Sequence, residues 1–279
     1  MRIVSSGKGI HSPEFYERKK KKQRLQFIFI SIGFLLILFS LVYVSRREGF
    51  LITEVTVLGE NIVDRPQIDQ RVAQLLSGYY LWLVPRTNFF IYPRRTIKQS
   101  LTEEFPRLRS VELDVIELGT LVVSVEERVP SSLYCLDIPG PVNRARCFFI
   151  DEEGLIFASA PTFSDGVYFI YSTEEALENP IGKRLMSTEE FWLLSTFLES
   201  LGTLNIHPKA LQIADDEYRL FLSSGAELLW GRESELALTR LNLESFLADK
   251  SIKAQGDFLN RILYLDLRTL NKVFYRFKY

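Results

Sequence analysis

Leu25 to Val44, LQFIFISIGFLLILFSLVYV, runs for twenty residues without a charge. At about 1.5 Å of rise per residue, a helix of that length crosses the roughly 30 Å hydrocarbon core of a bilayer. Its flanks are unequal. Arg18, Lys19, Lys20, Lys21, Lys22 and Arg24 precede it, whereas Arg46 and Arg47 follow and are met at once by Glu48. The positive-inside rule therefore puts residues 1–24 in the cytoplasm and everything after Val44 outside it. A cleaved signal peptide would have an apolar core of about 7–15 residues and a small-x-small cleavage site. This core is longer, and Leu41 to Ser45 offers no such site. A buried soluble helix would show a polar face, and this one is apolar all round. The expectation is an uncleaved anchor that contacts the lipid bilayer through Leu25 to Val44.

The rest of the 279-residue chain is long enough for one large or two modest domains. The whole chain has 34 Lys and Arg against 35 Asp and Glu, but residues 1–24 hold eight basic and two acidic residues. The part beyond the anchor is thus net acidic, which argues against nucleic acid as a partner. The basic run fixes topology and is suited to anionic headgroups. The only histidines and cysteines are His11, His207, Cys135 and Cys147, and the histidines fall on opposite sides of the membrane. A zinc site built from His and Cys would have to use both cysteines.

Residues 1–24 read as a disordered or loosely helical tail. Phe50 to Leu58 is rich in β-branched residues and reads as a strand, closed by a turn at Gly59, Glu60 and Asn61. Asp64, Pro66 and Gln67 supply helix-start chemistry. Ile68, Val72, Leu75 and Leu76 then give one apolar helical face that ends at Gly78. Tyr79 to Tyr92 is aromatic and irregular. Pro93 opens a second helix with Ile97, Leu101 and Phe105 on one face, and Pro106 stops it. Val111, Leu113 and Val115 alternate with acidic residues. After a turn at Leu118 and Gly119, Leu121, Val123 and Val125 alternate again, so the two runs form a hairpin. The order to this point is β-α-α-β-β.

Arg128-Val129-Pro130 marks a domain boundary. Short strands follow at Ser132–Asp137, Cys147–Asp151 and Leu155–Phe157. Ser187 to Glu190 is a capping box opening a helix with Phe191, Leu194, Leu198 and Leu201 on one face. Further strands lie at Leu211–Ile213, Tyr218–Leu222 and Ala226–Trp230, then a helix over Glu233–Ala248. The last two strands are Ile262–Leu267 and Lys272–Phe277, joined by Arg268 to Asn271. The fold class expected is α+β.

No G-x-S-x-G or P-loop occurs. No catalytic residue, cofactor, metal or small-molecule substrate is therefore expected. Asp151, Glu152 and Glu153 before Gly154 read as a turn, with calcium or acid–base ligands as the alternative. Glu126, Glu127 and Arg128 read as a charged strand end, and His207 as a loop residue. Cys135 and Cys147 flank a loop containing Pro139, Gly140 and Pro141, at the ends of two candidate paired strands. A disulfide closing that loop is expected, with two free thiols as the alternative. Lys272, Val273, Phe274, Tyr275, Arg276 and Phe277 form a short, β-prone terminal strand whose outer edge nothing in the chain need cover. Such an edge accepts a partner strand. The alternative is an edge blunted by Lys272, Arg276 and Lys278.

The chain resembles the FtsQ/DivIB family of bacterial cell-division proteins. Val55-x-Val57-x-Gly59 is similar to the family's opening strand, and Val125-x-Glu127-Arg128-x-Pro130 to its V-x-E-R-x-P. Ile150-Asp151-x-x-Gly154 is similar to its I-D-x-x-G hairpin, and Asp266-Leu267-Arg268 to its D-L-R. Glu60 departs from the usual Gly-Asn, and the chain ends two residues after Phe277. The resemblance implies a cytoplasmic tail (1–24), a transmembrane helix (25–44), a POTRA domain (50–128) and a larger β domain (129–279). It implies a non-enzymatic scaffold at the division septum. Its partners would be an FtsB/DivIC-like and an FtsL-like protein, bound near the C-terminal strand, with control of septal peptidoglycan synthesis as the outcome. A secretion or outer-membrane assembly factor bearing POTRA domains is the alternative, and an extracytoplasmic hydrolase a more distant one.

Overall fold

A computed structural model describes residues 13–59, 61–116, 119–136, 146–162, 166–269 and 272–278. Its first element, α1, is a helix over Pro13–Ser45, and the stretch Lys19–Ser45 is long and apolar enough to cross a membrane. Of the expected disordered or loosely helical tail, residues 13–24 take the helical form. The basic run is helical, because Lys, Arg and Gln are good helix formers and extend a helix already nucleated by the apolar span. Residues 1–12 of that tail lie outside the described residues.

The chain divides into two compact units. One comprises Met1–Leu58, Asp64–Lys98 and Glu112–Ser124, the other Gly59–Val63, Gln99–Val111 and Val125–Tyr279. After α1 come β1 (Glu54–Leu58), α2 (Arg65–Leu76), β2 (Tyr79–Tyr80), β3 (Val84–Pro85), α3 (Arg94–Glu104), β4 (Leu108–Ile116) and β5 (Thr120–Glu127). β1, β5 and β4 form a sheet in that order, with β1 parallel to β5 and Val57 opposite Val123. α2 packs on β1, and its Ile68, Val72 and Leu76 are buried, as the four-residue spacing requires. Ile97 and Leu101 on α3 are fully buried as well.

The first strand is shorter than expected from sequence. Residues 48–50 form a 3-10 turn, and the backbone at 50–52 bonds to Thr87 and Phe89 instead of the sheet. The Phe50 ring stacks on Phe89 at 5.9 Å, which draws the chain out of the sheet before Glu54. Tyr79 to Tyr92, read as irregular, contains the two-stranded ribbon of β2 and β3. Asp64 precedes α2, but its side chain caps no backbone N–H; Gln67 Nε2 donates to its carboxylate at 3.3 Å. The turn positions Glu60 and Leu118 lie outside the described residues.

The other unit is built on one nine-stranded sheet. Its elements are β6 (Ser132–Cys135), β7 (Cys147–Ile150), β8 (Ile156–Ser159), β9 (Phe169–Thr173), α4 (Thr188–Ser200), β10 (Pro208–Ile213), β11 (Glu217–Leu222), β12 (Glu227–Gly231), α5 (Leu236–Ala248), α6 (Lys250–Lys253), α7 (Phe258–Arg261), β13 (Ile262–Asp266) and β14 (Phe274–Phe277). The strand order is β14-β13-β12-β11-β10-β9-β6-β7-β8. The pairs β6/β9, β9/β10 and β12/β13 are parallel, and the other pairs in the sheet are antiparallel. A parallel neighbour needs a crossover, and α4 supplies one between β9 and β10. The capping box starts α4: Ser187 Oγ accepts the Glu190 N–H at 3.2 Å, and Glu190 Oε2 accepts the Ser187 N–H at 3.0 Å.

Alternation along each strand feeds two cores. Tyr134, Ile150, Tyr171, Leu211, Leu220, Leu228, Trp230 and Leu265 join Phe191 and Leu194 of α4 and Leu243 of α5 in the larger one. Leu133, Cys135, Cys147, Phe149, Phe157 and Ile170 form the smaller. Within it, Cys135 and Cys147 sit opposite each other in the β6/β7 register and are joined by a disulfide, with Cα atoms 4.1 Å apart. The loop holding Pro139, Gly140 and Pro141 lies outside the described residues. Closing a loop of this length is worth about 3 kcal/mol in the chain-entropy model. Thiol titration of the unreduced, denatured chain is expected to find no free thiol. A Cys135→Ser/Cys147→Ser double variant is expected to lose about 2–3 kcal/mol in chemical unfolding.

Candidate protein interface at the sheet edge

The two edges of the nine-stranded sheet differ. β8 is covered: Ile156 N–H donates to Lys183 O at 2.9 Å, Gly182 N–H donates to Ile156 O at 2.7 Å, and Leu155 bridges Arg184. β14 pairs with β13 on one side, and among the described residues nothing pairs with its other side. Lys278 N–H donates to Arg261 O at 2.8 Å, so it faces the sheet. Backbone groups of successive strand residues face alternate edges. Phe274 and Arg276 therefore point inward like Lys278, and Tyr275 and Phe277 present their N–H and C=O outward.

The side chains add an apolar strip beside this edge. Tyr275 and Phe277 lie on one face, with ring centroids 5.5 Å apart. Tyr275 meets Phe246 of α5 at 5.8 Å and Phe258 of α7 at 5.2 Å, and the Arg261 guanidinium sits over the Phe277 ring at 5.6 Å. Phe274, on the opposite face, is 52% exposed, Tyr275 39% and Phe277 40%. Lys272 and Val273 precede the strand rather than belong to it. Val273 packs against the larger core, which turns the chain before pairing begins. Lys278 Nζ donates to Ser224 O and Asn260 O, both at 3.0 Å, holding the C-terminal end of β14 in place.

At the other end of β13, Arg268 clasps Asp266 at 2.6 Å and Glu217 of β11 at 2.7 Å. Hydrogen bonds from Arg268 hold the Asp266 carboxyl below its ordinary range against the opposing effect of burial. The same bonds raise the guanidinium further. This cluster fixes the register of β13 and thereby of β14.

The remaining sequence candidates lie elsewhere in the sheet unit. Asp151 turns the chain, its Oδ1 accepting the N–H groups of Glu153 and Leu155 at 2.9 Å each, and it also pairs with Arg128. Glu152 reaches Arg109 at 2.7 Å. Ser110 Oγ donates to Glu126 at 3.1 Å, and Glu127 Oε1 accepts three backbone N–H groups, from Asn61, Ile62 and Val63. These carboxylates serve turns and ion pairs, and Glu152 also lines a cleft beside α4. Among the described residues no three His, Cys, Asp or Glu side chains come together as a metal-holding cluster. The cleft beside α4 is also lined by Tyr171, whose hydroxyl lies 3.3 Å from Ser195 Oγ. Burial pushes that hydroxyl up to about 12, so it stays protonated through the neutral range. The edge residues missed from sequence are Phe246, Phe258 and Arg261: the last two lie on α7, which carries no pattern long enough to read, and Phe246 lies on α5, whose contact with β14 no local spacing reports. No protein-family model matches this chain, and no curated protein is similar to it.

Proposed function

We propose that the chain is a single-pass, non-enzymatic scaffold of the FtsQ/DivIB type, with its tail in the cytoplasm and its sheet unit outside, acting at the division septum. The membrane-proximal β-α-α-β-β order suits a POTRA-like domain. The observation that carries the reading is the outer edge of β14, left unpaired among the described residues and flanked by a half-exposed aromatic strip. A strand from an FtsB/DivIC-like protein, accompanied by an FtsL-like one, would bond to the outward groups of Tyr275 and Phe277. Its side chains would cover the aromatic strip. Docking of that pair would then help control septal peptidoglycan synthesis.

The test is co-purification of the full-length chain with division proteins encoded in the same genome, for wild type and Tyr275→Pro. Proline removes an outward N–H and leaves the inward bonds of Phe274 and Arg276 to β13. Affinity for the strand-donating partner is expected to fall at least about tenfold in a variant that stays folded, with a lowered unfolding midpoint from the lost ring contacts to Phe246 and Phe258. Unaltered binding by a variant that stays folded would move the interface off this edge. Binding to secretion or outer-membrane components alone would favour the POTRA-type assembly reading.

A further inference from the structure

The ribbon of β2 and β3 ends in a tip whose residues suit neither its backbone nor water. Leu81 and Trp82 occupy consecutive left-handed positions, with φ of 48° and 60°. Leu83 N–H closes the turn onto Tyr80 O at 2.9 Å. Consecutive left-handed turn positions favour Asn and Gly, and bulky residues there are sterically strained. Nothing covers them either: Leu81 is 84% exposed and Trp82 89%. Tyr79 and Leu83 in the same ribbon are half exposed or more. Strain and exposed apolar surface together call for an occupant.

The tip's position says which one. Arg46, two residues beyond the apolar span, donates from Nε to Leu83 O at 2.9 Å and from Nη2 to Trp82 O at 3.1 Å. Its guanidinium also lies over the Tyr79 ring at 5.8 Å. Asn88, 3% exposed, donates from Nδ2 to the carbonyl of Ser45, the last residue of α1, at 3.0 Å. The ribbon is thus bonded to the end of the membrane-crossing helix, and its tip backbone sits one arginine side chain away. With α1 in a bilayer, Ser45 lies at the lipid–water boundary, where Trp, Tyr and Arg are the residues that anchor.

We infer that the Leu81–Trp82 tip enters the outer-leaflet interface as a second membrane contact. It fixes the rotation of this unit about the axis of α1, which a single helix would leave free. The inference rests on α1 spanning the membrane and is independent of the division reading.

The full-length chain in lipid nanodiscs tests it. The chain has three tryptophans, Trp82, Trp192 and Trp230, and none lies in α1. The difference between wild type and Trp82→Phe therefore isolates the emission of Trp82, whose side chain touches nothing the fold depends on. Expected is a blue-shifted component, quenched by roughly half or more when lipids brominated near the headgroup are used, and shielded from aqueous iodide. A component that emits as in water, is quenched by iodide and ignores bromolipid would overturn the inference. Shielding from iodide without bromolipid quenching would overturn it in favour of a protein contact. A chain that elutes free of the nanodiscs would remove the span itself, and the inference with it.

Discussion

Arg128→Met is expected to lower the unfolding free energy of the full-length chain in detergent by about 3–5 kcal/mol. Arg128 pairs with Asp151 through Nη1 and Oδ2, with side chains only 12% and 5% exposed. Its Nε donates to Pro106 O at 3.1 Å, and its backbone N–H to Arg107 O at 2.8 Å, so the guanidinium is held on two sides. Methionine keeps the length and removes the charge. Asp151 is then left with two backbone N–H donors and no cation, in a place water barely reaches. An uncompensated buried charge costs more than the intact pair contributes. Asp151→Asn added to Arg128→Met removes that charge while keeping a carbonyl for the N–H groups of Glu153 and Leu155. The double variant is expected to regain about 1–2 kcal/mol over the single one. The urea midpoints of the three proteins decide it. A single variant within about 0.5 kcal/mol of wild type would mean that the pair is solvated and structurally idle.

This pair also marks where sequence reading stops. Asp151 before Gly154 is legible as a turn, because the Asx-type bonds to Glu153 and Leu155 are local. Its bond to Arg128 joins positions 23 apart, and no spacing rule reports it. The same division holds across the fold. The long apolar helix, the β4/β5 hairpin and the capping box of α4 depend on neighbours within a few residues, and they lie where pattern puts them. The cysteines follow from a hairpin whose partners face each other. The order of the nine strands is not legible, since β6 pairs in parallel with β9 and β9 with β10 across intervening elements. The reading assigns no strand to Phe169–Thr173 and no helix to α6 or α7, each too short to show a period. The β14 strand is legible from its short β-prone run. That β8, the other edge, is covered by residues 182–184 could not be anticipated.

Gly59→Ala is expected to cost at least about 3 kcal/mol, from two causes that a companion variant separates. Gly59 follows β1 with φ of +90°, where a Cβ is strained. A Cβ there would also lie well inside contact distance of the Val125 carbonyl oxygen, which is backbone and cannot rotate away. Gly78 has nearly the same φ, +92°, with nothing within 4 Å of its Cβ position. Gly78→Ala thus reports the conformational cost alone, about 1 kcal/mol. The excess at Gly59 measures the close approach; equal losses at the two positions would show that the backbone yields freely. It should not yield, because the chain beyond Gly59 is clasped to the same strand. The N–H groups of Asn61, Ile62 and Val63 converge on Glu127 Oε1 at 2.8, 2.8 and 2.9 Å. Burial raises the Glu127 carboxyl, but those three bonds and nearby Arg107 outweigh it, leaving the group below its ordinary range. A carboxyl depressed in the folded state stabilises fully above its unfolded pKa, and that contribution is lost as pH falls through the folded one. Wild type should therefore lose stability on the acid side of the carboxylate range more steeply than Glu127→Gln. In Gly59→Ala, with the clasp pushed apart, the acid limb should flatten toward that of Glu127→Gln.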